Sequence, residues 1–289
     1  MTTLENDFLR VLVRPKGAEL TSIFHKPTNT EHLWQADEAI WGWHAPNLFP
    51  VVGGCLDDQL LIDEQTYSME RHGFARKSTF SVIESTPEKA VFSLKNNADT
   101  ELVYPYRFDF QVEYQLDGPV LTVVYRVLNE DNKTIYFSVG AHPAFAVPFS
   151  PNESYEDYLL EFQKEEPLER HLLSPKGYFT GETSPILAVG NQLPLTRDLF
   201  DQDALVFKNL DSRRVTIRSR HHDHCITVTY PPFPYLGIWA KPGAPFVCIE
   251  PWLGCADSEG MAFDISQKEA IQHVDAGELF EAGFTIGIQ

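Results

Sequence analysis

The run Phe108-Asp109-Phe110-Gln111-Val112-Glu113-Tyr114-Gln115-Leu116 alternates apolar and polar side chains without a break. Successive side chains of an extended backbone point to opposite faces, so this run reads as a half-buried strand of an antiparallel sheet. The turn-like Asp117-Gly118-Pro119 follows it, and a second strong strand is expected from Leu121 to Leu128. Working outward, stretches rich in β-branched and aromatic residues place further strands at Ile135 to Val139, Arg214 to Ser219, Ile226 to Tyr230, Leu236 to Ala240 and Phe246 to Glu250. The 20 Pro and 17 Gly are spread along the chain, as many turns between strands require. Helices have little room. The best helix signal is Ser266-x-x-Glu269, a capping box in which Ser266 accepts from a first-turn amide and Glu269 reaches back, and it opens only a short helix. So many antiparallel strands must bury their apolar faces against one another, and the expected fold is all-β, a large sandwich of two sheets with a concave face able to hold a ligand.

With 289 residues and 43% apolar content the chain can bury a sizeable core, and we expect one large domain over residues 1–289, with no linker, low-complexity tract or long repeat. The 41 Asp and Glu outnumber the 23 Lys and Arg, a net charge of −18 that repels phosphate backbones and anionic lipids. Nucleic acid and membrane surfaces are therefore not expected partners. The amino terminus lacks the basic and apolar regions of a secretory signal, and no apolar run approaches the ~20 residues needed to span a bilayer, so a cytoplasmic location is expected. Cys55, Cys225, Cys248 and Cys255 form no Cys-x-x-Cys pair, which argues against a thiolate zinc cage or disulfide framework and for reduced core or pocket residues.

Four segments concentrate chemistry. Trp41-Gly42-Trp43-His44-Ala45-Pro46-Asn47-Leu48-Phe49-Pro50-Val51-Val52-Gly53-Gly54 joins indoles, which lie well against the C–H face of a sugar, to glycines that permit close backbone approach. Arg71-His72-Gly73-Phe74-Ala75-Arg76 puts one imidazole and two guanidinium groups on one turn or strand end, suited to an anionic or polyhydroxyl ligand. In Gly140-Ala141-His142-Pro143-Ala144-Phe145, proline biases His142 to extended backbone at a strand's exit, and histidine is the natural proton donor near neutral pH. Alternation in Phe246-Val247-Cys248-Ile249-Glu250-Pro251-Trp252 puts Phe246, Cys248 and Glu250 on one face, so a carboxylate ends an apolar strand; burial raises its pKa and makes it a better base. The run His221-His222-Asp223-His224-Cys225 looks metal-like, but alternation separates His222 and His224 from His221 and Asp223, and a solvated turn or strand edge is expected there. Nucleotide-binding loops and a serine nucleophile elbow are absent from the sequence.

Taken in order, these four segments resemble the aldose 1-epimerase (galactose mutarotase) superfamily, especially its shorter bacterial members encoded with lactose-utilisation genes. The His-Gly-Phe-Ala-Arg run is also similar to that of hexose-6-phosphate mutarotases. The resemblance implies a β-supersandwich that interconverts the α and β anomers of an aldose, a sugar or sugar phosphate, with no metal or organic cofactor. By the same resemblance Glu250 is the general base, His142 the general acid, and His72 holds the sugar near its ring oxygen. Asp203, in Asp203-Ala204-Leu205-Val206-Phe207, matches the sugar-hydroxyl-binding aspartate, and Asn47, Arg71, Arg76 and Trp252 are counted with the substrate-binding residues. The galactose enzymes carry an Arg shortly after their early Asn/Gly segment, where this chain has Val51-Val52-Gly53-Gly54-Cys55; Arg71 or Arg76 is the available substitute, and Arg76 a candidate for a phosphate. Two other classes compete: a non-catalytic carbohydrate-binding or regulatory protein on the same fold, and a glycoside hydrolase using Asp203 and Glu250 as its carboxylate pair.

Overall fold

The structure, a computed structural model, describes residues 1–260 and 262–289. Two antiparallel sheets dominate it. The nine-stranded sheet runs, in spatial order, Gln192–Pro194, Tyr158–Phe162, Arg214–Ser219, Cys225–Thr229, Leu279–Ile288, Val120–Asn129, Phe108–Asp117, Lys89–Lys95 and Ser81–Ser85. The hairpin anticipated around Gly118 lies near one side of it, with Phe108 paired to Asn129 and Asp117 to Val120. The second sheet runs Phe179–Ile186, Leu168–Leu173, Leu205–Phe207, Tyr235–Trp239, Phe246–Leu253, Val139–Ala141 and Asn47–Leu48, with Ala144–Ala146 also pairing to Phe246–Leu253.

Alternation decides which side of each strand meets the main core. Phe108, Phe110, Val112, Tyr114 and Leu116 all join the large buried cluster, which extends from Leu4 to Ile288. In the second sheet Leu205 and Phe207 also belong to that cluster, whereas Val206 between them joins a smaller one with Leu48, Val52, Phe179, Trp252 and Cys255. The second sheet is therefore apolar on both faces: one closes the sandwich, and the other lines a site.

Three details differ from the sequence reading. Glu250 does not end its strand, which continues to Leu253 and is buried along its whole length. The expected Ile135 to Val139 strand is split at Ser138: Ile135–Phe137 pairs with Gln272–Val274, and Val139–Ala141 crosses to the second sheet. The cap near residue 266 is Asp264, whose side chain accepts from the Ser266 amide and opens a single 3-10 turn over Ile265–Gln267. Glu269 takes no part in that cap; its carboxylate pairs with Lys208. The α-helix Ala98–Glu101 is capped instead by Asn97, with Thr100 Oγ1 accepting from the Asn97 amide. Among the described residues no helix is long and apolar enough to cross a membrane.

Candidate active site

The strand Phe246–Leu253 is the floor of the site, and its register sets the chemistry. On one side Gly237 lies opposite Glu250. On the other side Val139 and Gly140 pair with Leu253 and Trp252, and after a three-residue break Ala144, Phe145 and Ala146 pair with Cys248, Val247 and Phe246 in the same register. The break is Ala141-His142-Pro143, with Ala141 paired to Asn47 on its other side. Pro143 has no amide to give the ladder, and the unchanged register sets His142 across from Glu250, the arrangement in which cross-strand side chains meet. Thus His142 stands at the exit of the strand Val139–Ala141, as expected, and just before a second segment, Ala144–Ala146. Its Nε2 lies 3.2 Å from Glu250 Oε2.

Trp252 needs room to lie across the sheet. A Cβ at Gly140 would stand 2.6 Å from its Cδ1, and one at Gly237 would stand 2.5 Å from its Cζ2, so only glycine on both flanking strands lets the indole lie flat beside Glu250. Trp41 closes the opposite wall, stacked on His142 with ring centroids 5.0 Å apart, and Trp239 meets both rings edge-on. Trp43 does not line the cavity; its ring lies 5.4 Å from the Arg76 guanidinium carbon, a cation–π contact.

His72 is carried by the turn before the 3-10 segment Ala75–Lys77 and has a positive φ of 66°. Gly73 packs so closely on the Phe49 carbonyl that no side chain fits there. The His72 amide donates to the Gly53 carbonyl at 2.8 Å, and its Nδ1 accepts from the Gly53 amide at 3.1 Å. Accepting at Nδ1 places the proton of the neutral ring on Nε2, leaving that atom as a donor. Burial, with His142, Arg76 and Arg71 adding to it, holds the His72 pKa well below the ordinary imidazole value. Arg76 donates to the Arg71 carbonyl at 2.7 Å, and Arg71 donates to the Lys176 carbonyl. Both guanidinium groups line the cavity, as does exposed Asp203, two residues before the strand Leu205–Phe207.

Asn47 is a correction. It does not line the cavity: its amide group donates to the Gly17 and Ala18 carbonyls at 2.9 and 3.0 Å and its oxygen accepts from Tyr125 at 2.8 Å. Fully engaged inside the sandwich, it holds its strand in place rather than meeting a ligand. Conversely, Gly237, Trp239, Phe179 and Gly177 belong to the cavity or its shaping and carry no chemical group that a motif search singles out. Only Gly237 had a signal, a glycine inside an apolar strand, which marks close approach of another group.

The cavity encloses about 250 Å³, below the ~300–1,000 Å³ usual for drug-sized ligands and on the scale of one small ring. Four residues of its lining carry a buried polar atom with no hydrogen-bond partner among the described residues: Arg76 Nε, His142 Nδ1, Glu250 Oε2 and Trp252 Nε1. The close approach of His142 and Glu250 thus falls short of a well-directed hydrogen bond. Burial raises the Glu250 pKa well above the carboxylate range, Asp203 adds to the rise, and nearby Trp252 opposes it. Burial also pushes His142 down to about 3, and Arg76 adds to that fall. An imidazole titrating near neutrality, the expectation for a proton donor here, is therefore not what this degree of burial provides. His142, Cys248 and Glu250 offer potential metal-ligand atoms within 4.8 Å of one another, and so do His25, His32 and His224 elsewhere. In the run His221 to Cys225, His221 and Asp223 are exposed as expected, but His224 turns inward to stack on His25.

Residues 1–270 match the family model described as aldose 1-epimerase. The plasmid and chromosomal forms of protein LacX from Lactococcus lactis subsp. lactis are each 37% identical over 267 residues, covering 88% of this chain and 88% of theirs. A galactose mutarotase-like protein from Lactobacillus casei superposes with a TM-score of 0.94 at 35% identity, covering 100% of both chains. A galactose mutarotase related enzyme from Lactobacillus acidophilus gives 0.92 at 33% identity over 99% of this chain and 96% of its own.

Proposed function

This chain belongs to the aldose 1-epimerase family, and we propose that it interconverts the α and β anomers of a hexose, free or phosphorylated, with Glu250 and His142 as its proton-transfer pair. The observation that carries the reading is the pair itself, a carboxylate and an imidazole 3.2 Å apart on the floor of a ring-sized aromatic cavity.

Ring opening takes a proton from O1 and delivers one to the ring oxygen while the bond between C1 and that oxygen breaks. The two oxygens share one carbon, so the acid and the base must be neighbours, and adjacent cross-strand positions supply that. Glu250 receives the O1 proton and His142 gives one to the ring oxygen; after rotation about C1–C2, reclosure on the other face of the aldehyde reverses both transfers. The starting ionic pair is reached by moving one proton over the short gap from the buried acid to the imidazole. Sugar hydroxyls favour that move by giving the unpaired polar atoms their partners. His72, donating from Nε2, holds the sugar near its ring oxygen, Asp203 accepts from a hydroxyl, and Trp252 offers an apolar face to the ring. Arg71 and Arg76, both lining the cavity, are the available substitutes for the galactose-type arginine this chain lacks, and they supply the positive charge that a phosphate on the substrate requires.

The test is NMR saturation transfer between the anomers of galactose, glucose and their 6-phosphates, with and without protein. Faster exchange of one sugar identifies both activity and preference. Calorimetric binding with no faster exchange of the bound sugar refutes catalysis and supports the carbohydrate-binding alternative.

A further inference from the structure

Three histidines outside the sugar cavity converge on one point. His25 ends the strand Glu19–His25, His32 follows the strand Thr30–Glu31, and these two strands pair directly. His224 immediately precedes Cys225–Thr229, a strand of the nine-stranded sheet. Each offers one ring nitrogen, and the three lie within 4.8 Å of one another. His32 is wholly buried, His25 is 7% exposed and His224 is partly open to solvent, so the cluster has a shielded end and an entrance.

We propose that His25, His32 and His224 form a binding site for a divalent transition cation of the zinc type, separate from the sugar cavity and tying the amino-terminal hairpin to the nine-stranded sheet. The Nε2 atoms of His32 and His224 are 3.0 Å apart. At the ~2.0–2.1 Å of a zinc–imidazole bond, that gap subtends roughly 95° at the metal, and a few tenths of an ångström opens it to the tetrahedral angle. In the metal-free protein the same gap accommodates one hydrogen bond and one proton, which a cation replaces. His25 Nδ1 lies 2.8 Å from Thr28 Oγ1. With Nδ1 donating to that hydroxyl, Nε2 keeps its lone pair, the arrangement by which an outer partner orients a ligating imidazole. His32 Nδ1, on the far side of its ring, has no partner among the described residues, so this ring is held by packing and by its Nε2 contact rather than by an outer partner. Phe149 meets the His32 and His224 rings edge-on at 5.3 and 5.4 Å and supplies an apolar wall. Burial favours the neutral form in all three rings, the form that ligates. Imidazole nitrogens without a thiolate suit zinc, nickel or copper rather than magnesium or calcium. The competing account is a stack of core histidines held together by packing alone.

Zn²⁺ titrated calorimetrically into chelator-stripped full-length protein, and Co²⁺ titrated with visible absorption, decide between the two. The expected result is one equivalent bound, with the d–d bands of four-coordinate cobalt and no sulfur-to-metal charge-transfer band. Affinity in His25→Gln and in His224→Gln should fall by more than the ~10–100-fold that loss of an outer-shell partner costs, while His221→Gln binds as the parent does. His224 is partly exposed in a loop, so its variant reports even if substitutions at buried His25 or His32 prevent folding. No binding by the parent, or binding unchanged in His224→Gln, overturns the proposal. A charge-transfer band shows a thiolate ligand, which the three-imidazole site does not contain, and likewise overturns it. The readouts are independent of sugar turnover.

Discussion

Replacing Glu250 with Gln tests the catalytic assignment and the burial argument together, because it removes the titration and keeps the shape. Glu250 is 1% exposed, and its raised pKa means that the folded protein favours the neutral acid. A positioned proton transfer contributes ~10²–10⁴ in rate, so anomer exchange in Glu250→Gln should fall by that factor, about 3–5 kcal/mol of barrier. Stability should move the other way. A carboxyl whose folded pKa is raised contributes stability that is fully present below the unfolded value of 4.5 and lost as pH rises toward the folded pKa. Gln lacks that loss: the variant should melt with the parent near pH 4 and above it near ~pH 8, with each unit of the underlying shift worth about 1.4 kcal/mol. Exchange is read by NMR saturation transfer and stability by thermal denaturation at both pH values. Full activity in the variant refutes Glu250 as the base; a melting temperature at or below the parent's near ~pH 8 refutes the claim that burial disfavours the carboxylate.

Gly237→Ala puts a methyl 2.5 Å from Trp252 Cζ2, and displacing the indole should cost ~1–3 kcal/mol in chemical denaturation and raise KM in the exchange assay. Asn47→Ala strips a partner from the Gly17 carbonyl and from the Tyr125 hydroxyl, while the Ala18 carbonyl keeps the Tyr114 hydroxyl, so denaturation should show a loss of ~1–3 kcal/mol for each of the two groups left unsatisfied, with kcat and KM of the folded fraction unchanged. A strong rise in KM there would return Asn47 to the substrate-binding set. His72→Ala removes a neutral donor, and substrate titrations should show KM rising roughly three- to tenfold, the worth of one hydrogen bond, with a smaller change in kcat.

The fold was legible where one face of a strand carries polar side chains. Phe108–Asp117 pairs with Val120–Asn129 as the alternation and turn residues required, and Arg214–Ser219 has the expected bounds. Legibility failed where both faces are apolar or segments are short. Phe246–Leu253 is apolar on both sides, so alternation could not show where it ended. The hand-over at Ser138 depends on which sheet each half pairs with, which is tertiary information. The misplaced cap has a local cause: Asp264 and Ser266 are both good cap residues, and the Asp264 carboxylate reaches the Ser266 amide at 3.0 Å, while Lys208 draws Glu269 away.

The site was legible as residue types but not as a state of protonation. Sequence can say that a carboxylate ending an apolar run will resist ionising; it cannot say that the nearest imidazole is buried as deeply and pushed the opposite way. Those two shifts follow from one fact, the shared register on either side of Pro143 that makes His142 and Glu250 cross-strand neighbours beneath three tryptophans. The same burial that fixes their spacing favours both neutral forms, at Glu250 a cost to folding near neutral pH, and leaves four polar atoms with no partner among the described residues. A ligand that donates and accepts around one small ring relieves that cost, and one whose ring carbon bears two exchangeable oxygens can also use the proton the pair holds. The structural cost and the chemistry therefore have one origin, and substitutions that lower the cost, Glu250→Gln first among them, are the ones expected to remove the activity.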